Sequence, residues 1–275
     1  MNKRISWQVE WVQSFQHFQD ARRILEVGAG TFATTYTLAK RYPEKEFVGI
    51  DFAFPEKAAE RLRYAEPRNL TAIRHDIRSL EILADGQFDF AYSIAVLEHV
   101  RELDAHLRAI YSMLKSGGRY TFKETPFWSS SHGHHFEHNS PECPVPHYGH
   151  LMMSKEELGA YLADKAGKDP AAVAKILGEI YEREDLSRLS RTQTRAIMEA
   201  SPFSIESWSE NQDENYTDAI RDAVMRNNIY QLDPEDLKIS GVNCTLYKPP
   251  EPVKKPSFLD AALRRVGLQR LPGDS

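Results

Sequence analysis

The chain has 275 residues, 41% of them hydrophobic and 27% charged, which suits a packed globule with room for one large domain and an insertion. A formal charge of −5 supplies no basic footprint for nucleic acid, and two cysteines, Cys143 and Cys244, are too few for a disulfide framework. No apolar run approaches the ~18 residues of a membrane span and the N-terminus carries no signal pattern, so a cytoplasmic protein is expected.

In chain order, Trp7, Trp11, Phe15 and Phe18 recur at helical spacing and predict an N-terminal aromatic helix over residues 1–20. Its ring face suits packing on the domain, and would equally cover a ligand or meet a second copy. The apolar run Arg23 to Val27 then enters Gly28-Ala29-Gly30-Thr31-Phe32-Ala33, followed by a helix from Thr34 to Arg41 and a strand from Glu46 to Asp51. A strand, glycine turn and helix let a nucleotide-like ligand approach bare backbone at the positive end of the helix dipole. The carboxylate of Asp51 at the next strand end can accept both hydroxyls of a ribose. The same pattern fits a loose dinucleotide fingerprint, so an NAD-dependent oxidoreductase stays open at this point.

Further on, Ala72 to Ile77 reads as a third strand ending in the acid Asp76, and Gln87 to Val100 as a buried fourth strand passing into a helix. Leu114 to Phe122 reads as a helix end, a glycine turn at Gly117-Gly118 and a fifth strand. With the Asp76-Ile77 step after strand three and the Leu97-Glu98-His99 step after strand four, residues 21–125 resemble the class I S-adenosylmethionine (SAM)-dependent methyltransferases, in their small-molecule, type 11-like branch.

The resemblance implies a Rossmann-like α/β fold with a seven-stranded, mostly parallel sheet whose last strand is antiparallel. It implies that Glu26, Gly28 and Gly30 line the methionine half of SAM, that Asp51 holds the ribose and Phe52 packs on the adenine, that Asp76 with Ile77 reads the adenine edge, and that Ser93 lies near the sulfonium. Phe32 departs from the pattern, standing where many members carry glycine.

Residues 126–186 form an insertion after strand five. It holds six of the ten histidines within the nineteen residues from His132 to His150, in a loop whose prolines and glycines forbid a long helix. A capping box at Ser154 and Glu157 starts a helix, and two more are expected over 170–182 and 190–200. Methyl transfer to an alcohol needs a base, and imidazole suits that step, with His135, His134 and His150 as the candidates. A divalent metal held by histidines and a carboxylate is the alternative; the spacing does not match a zinc knuckle, and no metal ligand is assigned. The segments Gly133 to Phe136 and Pro146 to Leu151 resemble bacterial methyltransferases of surface-polysaccharide or glycosylated-metabolite pathways. This implies a sugar hydroxyl as acceptor, with Phe127, Trp128, Phe136 and Tyr148 as surfaces for a pyranose face.

Strands six and seven are expected over 203–210 and 237–247, separated by a second excursion over about 212–236 with a helix at 218–227, so that the methyltransferase-like unit spans 21–248. Residues 249–275 read as a proline linker and a short basic amphipathic helix, suited to docking on the domain or on a sister subunit, or to weak contact with an anionic membrane surface. The reading that results is a SAM-dependent O-methyltransferase acting on a sugar, glycan or glycosylated metabolite. A non-catalytic SAM-binding protein is the rival from another class.

Overall fold

The computed structural model describes residues 3–53, 55–62, 67–76, 85–137, 140 and 142–250. In chain order these form α1 (Lys3–Gln13), α2 (Gln16–Asp20), β1 (Arg23–Val27), α3 (Ala33–Arg41), β2 (Glu46–Asp51), α4 (Glu56–Leu62), β3 (Leu70–Arg74), β4 (Phe88–Ile94), α5 (Leu103–Met113) and β5 (Leu114–Glu124). There follow α6 (Gly149–Met152), α7 (Lys155–Asp164), α8 (Pro170–Tyr181), α9 (Arg191–Ala200), β6 (Ser204–Gln212), α10 (Asp218–Met225) and β7 (Ile239–Tyr247). The seven strands make one sheet in the order β3-β2-β1-β4-β5-β7-β6, parallel except for β7, which runs antiparallel to both neighbours. The expected Rossmann-like sheet with an antiparallel last strand is therefore present.

The central strands are buried on both faces, as a parallel sheet covered by helices requires. On one face Leu25, Val27, Ala91, Tyr120 and Phe122 join the core with α5 and α9, and on the other Ile24, Phe47, Phe90 and Tyr92 pack against α1, α2 and α3. The strand ends Val27, Asp51, Ile94 and Glu124 lie along one edge, and the loops that leave them carry most of the residues singled out in the sequence.

Three local expectations are corrected. Strand β3 starts two residues and ends three residues before the 72–77 reading, because its pairing with β2 extends from Phe47↔Leu70 to Asp51↔Arg74, after which the His75 amide donates to the Asp51 carbonyl (3.0 Å). The glycine pair Gly117-Gly118 lies within β5, where the register with β4 breaks and Gly117 takes φ +84°, so it forms a bulge and not a turn between elements. The aromatic helix is broken at Ser14 and Phe15, where Phe15 adopts an extended conformation as the N-cap of α2. Val9, Val12 and Phe18 form the buried face, while Trp7 is 39% exposed with the Lys123 ammonium over its ring.

The chain between β5 and β6 holds α6–α9, and that between β6 and β7 holds α10. Leu158, Leu162 and Ile180 of the first segment share one hydrophobic core with Val224, Leu232 and Leu237 of the second. The Ser154–Glu157 capping box is present, Asp169 caps α8 ahead of Pro170, and Ser190 with Gln193 forms a second box on α9. The tail expected to form a basic helix lies, from residue 251, outside the described residues. Among the described residues no helix is long and apolar enough to cross a membrane.

Phe32 is wholly buried in the left-handed conformation (φ 57°) that ends the glycine loop, and a Cβ placed on Gly49 of β2 would lie 2.7 Å from its ring. Gly49→Ala should therefore force the ring and the loop apart and lower the unfolding free energy by about 1–3 kcal/mol. Urea titration checks this, with the substitution Gly30→Ala at the open tip of the same loop as a comparison for left-handed strain alone.

Candidate functional site at the carboxyl edge of the sheet

The loop after β1 is shaped by two glycines in the left-handed region, Gly28 (φ 68°) and Gly30 (φ 52°). A Cβ on Gly28 would overlap the Val96 side chain, whereas one on Gly30 would meet no atom within 4 Å, so the loop is packed at its base and open at its tip. The Ala29 amide donates to the Ile50 carbonyl (3.0 Å). The Asp51 carboxylate accepts from the Gly30 amide (2.6 Å) and the Ala53 amide (2.9 Å), which ties the ends of β1 and β2 together. Phe32 turns its ring inward beneath Gly49, so the departure from glycine leaves the outer side of the loop clear.

Beneath this loop the Glu26 carboxyl is bonded by the Tyr92 hydroxyl and the Thr35 amide, and its Oε2 has no partner. Burial is the main cause of a pKa pushed up to about 8, and the Asp51 charge adds to it. Phe52 is 74% exposed beside Asp51, and Asp76 is half-buried just past the end of β3. Ile77 lies outside the described residues. Ser93 points to the opposite face of β4 from Tyr92, is fully buried, and shares a 2.6 Å hydrogen bond with the Tyr120 hydroxyl.

The structure divides the histidines. His150 is fully buried, donates from Nε2 to the Trp128 carbonyl (2.8 Å), and has a pKa pushed down to about 4, mainly by burial. His134 is also buried and accepts the Phe136 amide at Nδ1 (3.1 Å), with its ring 5.4 Å from that of His150; His132 and His147 stack edge to face at 4.7 Å. His135 is apart from these. It is half-buried, takes φ 57°, donates from Nε2 to the Pro126 carbonyl (3.2 Å) just beyond β5, and meets His99, just beyond β4, at 5.4 Å. His138 lies outside the described residues. Among the described residues no group of three or more His, Cys, Asp or Glu is arranged to hold a metal. Phe127, Trp128, Phe136 and Tyr148 are all buried, Phe127 in the core of the sheet and the other three in that of the insertion, so these rings offer no open surface to a pyranose.

Two acids that the histidine-centred reading passed over stand at the same edge. Glu98, in the 3-10 turn Leu97–His99 after β4, and Glu124, the last residue of β5, are both buried, each with an unpartnered Oε2. Burial raises Glu124 to about 8 and, helped by the Glu124 charge, pushes Glu98 well above the carboxylate range. The signal for Glu124 was the alternation Tyr120, Phe122, Glu124, which places an acid on the buried face of a strand.

Residues 25–122, from β1 to the end of the parallel core, match the family model described as a methyltransferase domain. These residues form a class I, SAM-dependent methyltransferase domain. The domain is 34% identical over 111 residues to the demethylmenaquinone methyltransferase of Thermus thermophilus, covering 38% of this chain and 48% of that protein. It is 31% identical over 99 residues to the malonyl-[acyl-carrier protein] O-methyltransferase of Xylella fastidiosa, covering 35% and 32%. The chain thus matches less than half the length of these relatives. Over nearly the whole chain the fold is like that of geranyl diphosphate C-methyltransferase from Streptomyces coelicolor, with a TM-score of 0.53, 12% identity, and coverage of 88% and 77%. Phosphoethanolamine N-methyltransferase 2 of Haemonchus contortus gives a TM-score of 0.53, 14% identity, and coverage of 90% and 53%. The methyltransferase domain presents residues that fit SAM: an open glycine tip, a strand-end carboxylate, an exposed aromatic ring beside it, and an orphaned buried carboxyl oxygen below.

The raised acids make a pH prediction. Between the ordinary value of 4.5 and about 8, the unfolded chain releases the Glu26 proton while the folded protein retains it, so stability falls as pH rises through that window. Glu124 acts in the same direction. Unfolding free energies from urea titrations should decline across this range, and Glu26→Gln should remove one group's share of the decline.

Proposed function

We propose that this chain transfers the methyl group of SAM to a hydroxyl oxygen of a sugar, glycan or glycosylated metabolite, with His135 as the proton acceptor. The observation that carries this reading is the position of His135 and His99 at the ends of β5 and β4, on the edge where the glycine loop and Asp51 also stand. In open α/β sheets ligands bind at this edge. The relatives are named for a quinone precursor, a malonyl thioester, a diphosphate and an amine, so the choice of acceptor rests on the site and its histidine loop.

SAM, when bound, supplies a methyl group already activated on a sulfonium. Asp51 would exchange its backbone donors for the two ribose hydroxyls, Phe52 would cover the adenine, Asp76 and Ile77 would meet its edge, Glu26, Gly28 and Gly30 would shape the methionine end, and Ser93 would stand near the sulfonium. In the tautomer that donates to Pro126, His135 Nδ1 carries no proton and is the nitrogen that takes one from the acceptor. His134 and His150 would hold the loop that presents it. The insertion would keep water from the reacting atoms, which methyl transfer needs alongside in-line approach.

Calorimetry should show binding of SAM and of its demethylated product with no comparable response to NAD, and Asp51→Ala should weaken SAM by about 1.5–3 kcal/mol, the range for hydrogen bonds to a charged group. A folded Asp51→Ala protein with unchanged affinity would remove Asp51 from the cofactor site. With the acceptor identified by mass spectrometry of labelled products, His135→Ala should lower turnover about 10²–10⁴-fold and leave SAM affinity intact. Sensitivity of turnover to chelator, restored by a divalent ion, would point to metal in place of a histidine base.

A further inference from the structure

Helix α1 runs parallel to α3: Gln8 accepts the Thr34 hydroxyl (2.8 Å) in the first turn of α3, and Gln13 accepts from Arg41 (2.7 Å) in its last. The first turns of α1 therefore stand at the carboxyl edge of the sheet. There Trp7 is 39% exposed, and with Phe52 it is one of two exposed aromatic rings among the described residues. The Lys123 ammonium lies over its ring, 4.8 Å from the centroid. In the sheet Lys123 is opposite Ile94 of β4 and Asn243 of β7, on the face where Ile94 packs into the core under α1, α2 and α3.

Lys123 is half-buried, burial holds its ammonium below the usual lysine range, and it makes no hydrogen bond or ion pair among the described residues. The described neighbours supply no counter-charge. Across the strands on this face stand Ile94, Asn243 and, one strand further, Ser209, all neutral. On α1 the residues one turn before Trp7 are Lys3 and Arg4, and the nearest acid of that helix, Glu10, lies a turn further from the edge and accepts the Ser6 hydroxyl (3.0 Å). A cation drawn partly out of water without a counter-charge carries a desolvation cost that an aromatic ring offsets only in part. The corner is thus positive, with an open aromatic ring beside the charge, which suits an anion carried on a larger apolar face.

The sheet order puts this corner on the acceptor side. The residues read as holding adenine and ribose stand at β3 and β2, on one side of β1, whereas β5 lies beyond β4 on the other. Three residues past Lys123 the Pro126 carbonyl anchors His135, so at most about 11 Å of chain separates the two backbone positions. The buried rings of Phe127, Trp128, Phe136 and Tyr148 leave a pyranose nothing to lie on, and Trp7 supplies a ring that is open. We propose that Trp7 and Lys123 form an acceptor subsite that reads an acidic sugar, the indole meeting the apolar face of the pyranose and the ammonium pairing with a carboxylate or phosphate attached to it. This rests on the methyl-transfer reading above and narrows its acceptor from sugars in general to acidic ones. A lysine, being a point charge, accepts either anion.

The test uses the full chain saturated with S-adenosylhomocysteine and follows binding by ligand-observed NMR, with methyl β-D-glucopyranosiduronate and glucose 6-phosphate compared with their neutral parents, methyl β-D-glucopyranoside and glucose. At least one acidic sugar should bind about tenfold more tightly than its parent, as one hydrogen bond to a charged group provides, and the preference should shrink as salt is raised. Lys123→Met should cut that preference to about twofold or less with S-adenosylhomocysteine affinity unchanged, and Trp7→Ala should weaken acidic and neutral sugars alike. Equal binding of acidic and neutral sugars overturns the proposal, as does an undiminished preference in the folded Lys123→Met protein or unchanged sugar binding in Trp7→Ala. Lys123→Gln takes the place of the methionine variant if that one does not fold. A Lys123→Met protein that loses S-adenosylhomocysteine affinity and keeps its sugar preference also overturns the proposal, because the ammonium then serves the carboxylate of the cofactor. Failure of S-adenosylhomocysteine to bind the unaltered chain would instead defeat the methyl-transfer reading.

Discussion

The close approach of the Phe32 ring to Gly49 sets the height of the loop after β1, and through it the whole carboxyl edge. A residue with a Cβ at position 49 would lift the ring, and the ring carries the left-handed step that begins α3. From that fixed step, Gly30 can present its amide to Asp51 at 2.6 Å, and Glu26 can reach the first turn of α3 from below. One steric allowance in β2 thus positions donors and acceptors drawn from β1, β2 and α3. The cost is a side chain in a conformation usually left to glycine, which persists because the core around it leaves no alternative.

Buried acids elsewhere in the molecule show what ordinary structural use looks like. Asp213 accepts the Ser131 amide at 2.7 Å and the Asn215 amide at 3.0 Å, and Asp236 accepts both the amide and the hydroxyl of Thr192 at the start of α9. Their work is to fasten loops, and most of their hydrogen-bonding capacity is spent on the protein. Glu26, Glu98 and Glu124 differ in lying at or just past the ends of β1, β4 and β5; the unpartnered oxygen that each keeps is a feature they share with Asp236 Oδ2. Perturbed acids gathered at one edge of a sheet are a physical mark of a functional site.

The parallel core was legible in the sequence because each of its signals was local. Apolar runs of strand length, a glycine turn and the acid at Asp51 mark β1 and β2 without reference to any distant residue, and the Ser154–Glu157 capping box could be read within a few positions. The β3 error came from taking Asp76 as a strand end, when pairing with β2 decides where β3 stops and that pairing is not written in residues 70–77 themselves. Likewise, six histidines close in sequence looked like one group, yet the fold sends His134 and His150 into the interior and His135 to the edge beside His99. That partition depends on the Trp128 and Pro126 carbonyls, which composition and spacing do not reveal. The aromatic rings misled for a related reason: a ring beside a polar loop reads as a contact surface, but here the cores of the sheet and of the insertion consumed them.

That core has an architectural consequence. Its two contributors, the segment between β5 and β6 and the one between β6 and β7, enter the chain on either side of β6, yet their buried side chains meet in one cluster. They form one packed module that straddles β6 in the chain. Exchange of the first segment alone between related proteins, as in building chimaeras with altered acceptor preference, would leave Val224, Leu232 and Leu237 facing a foreign surface, so the natural unit of exchange is both segments with β6 between them.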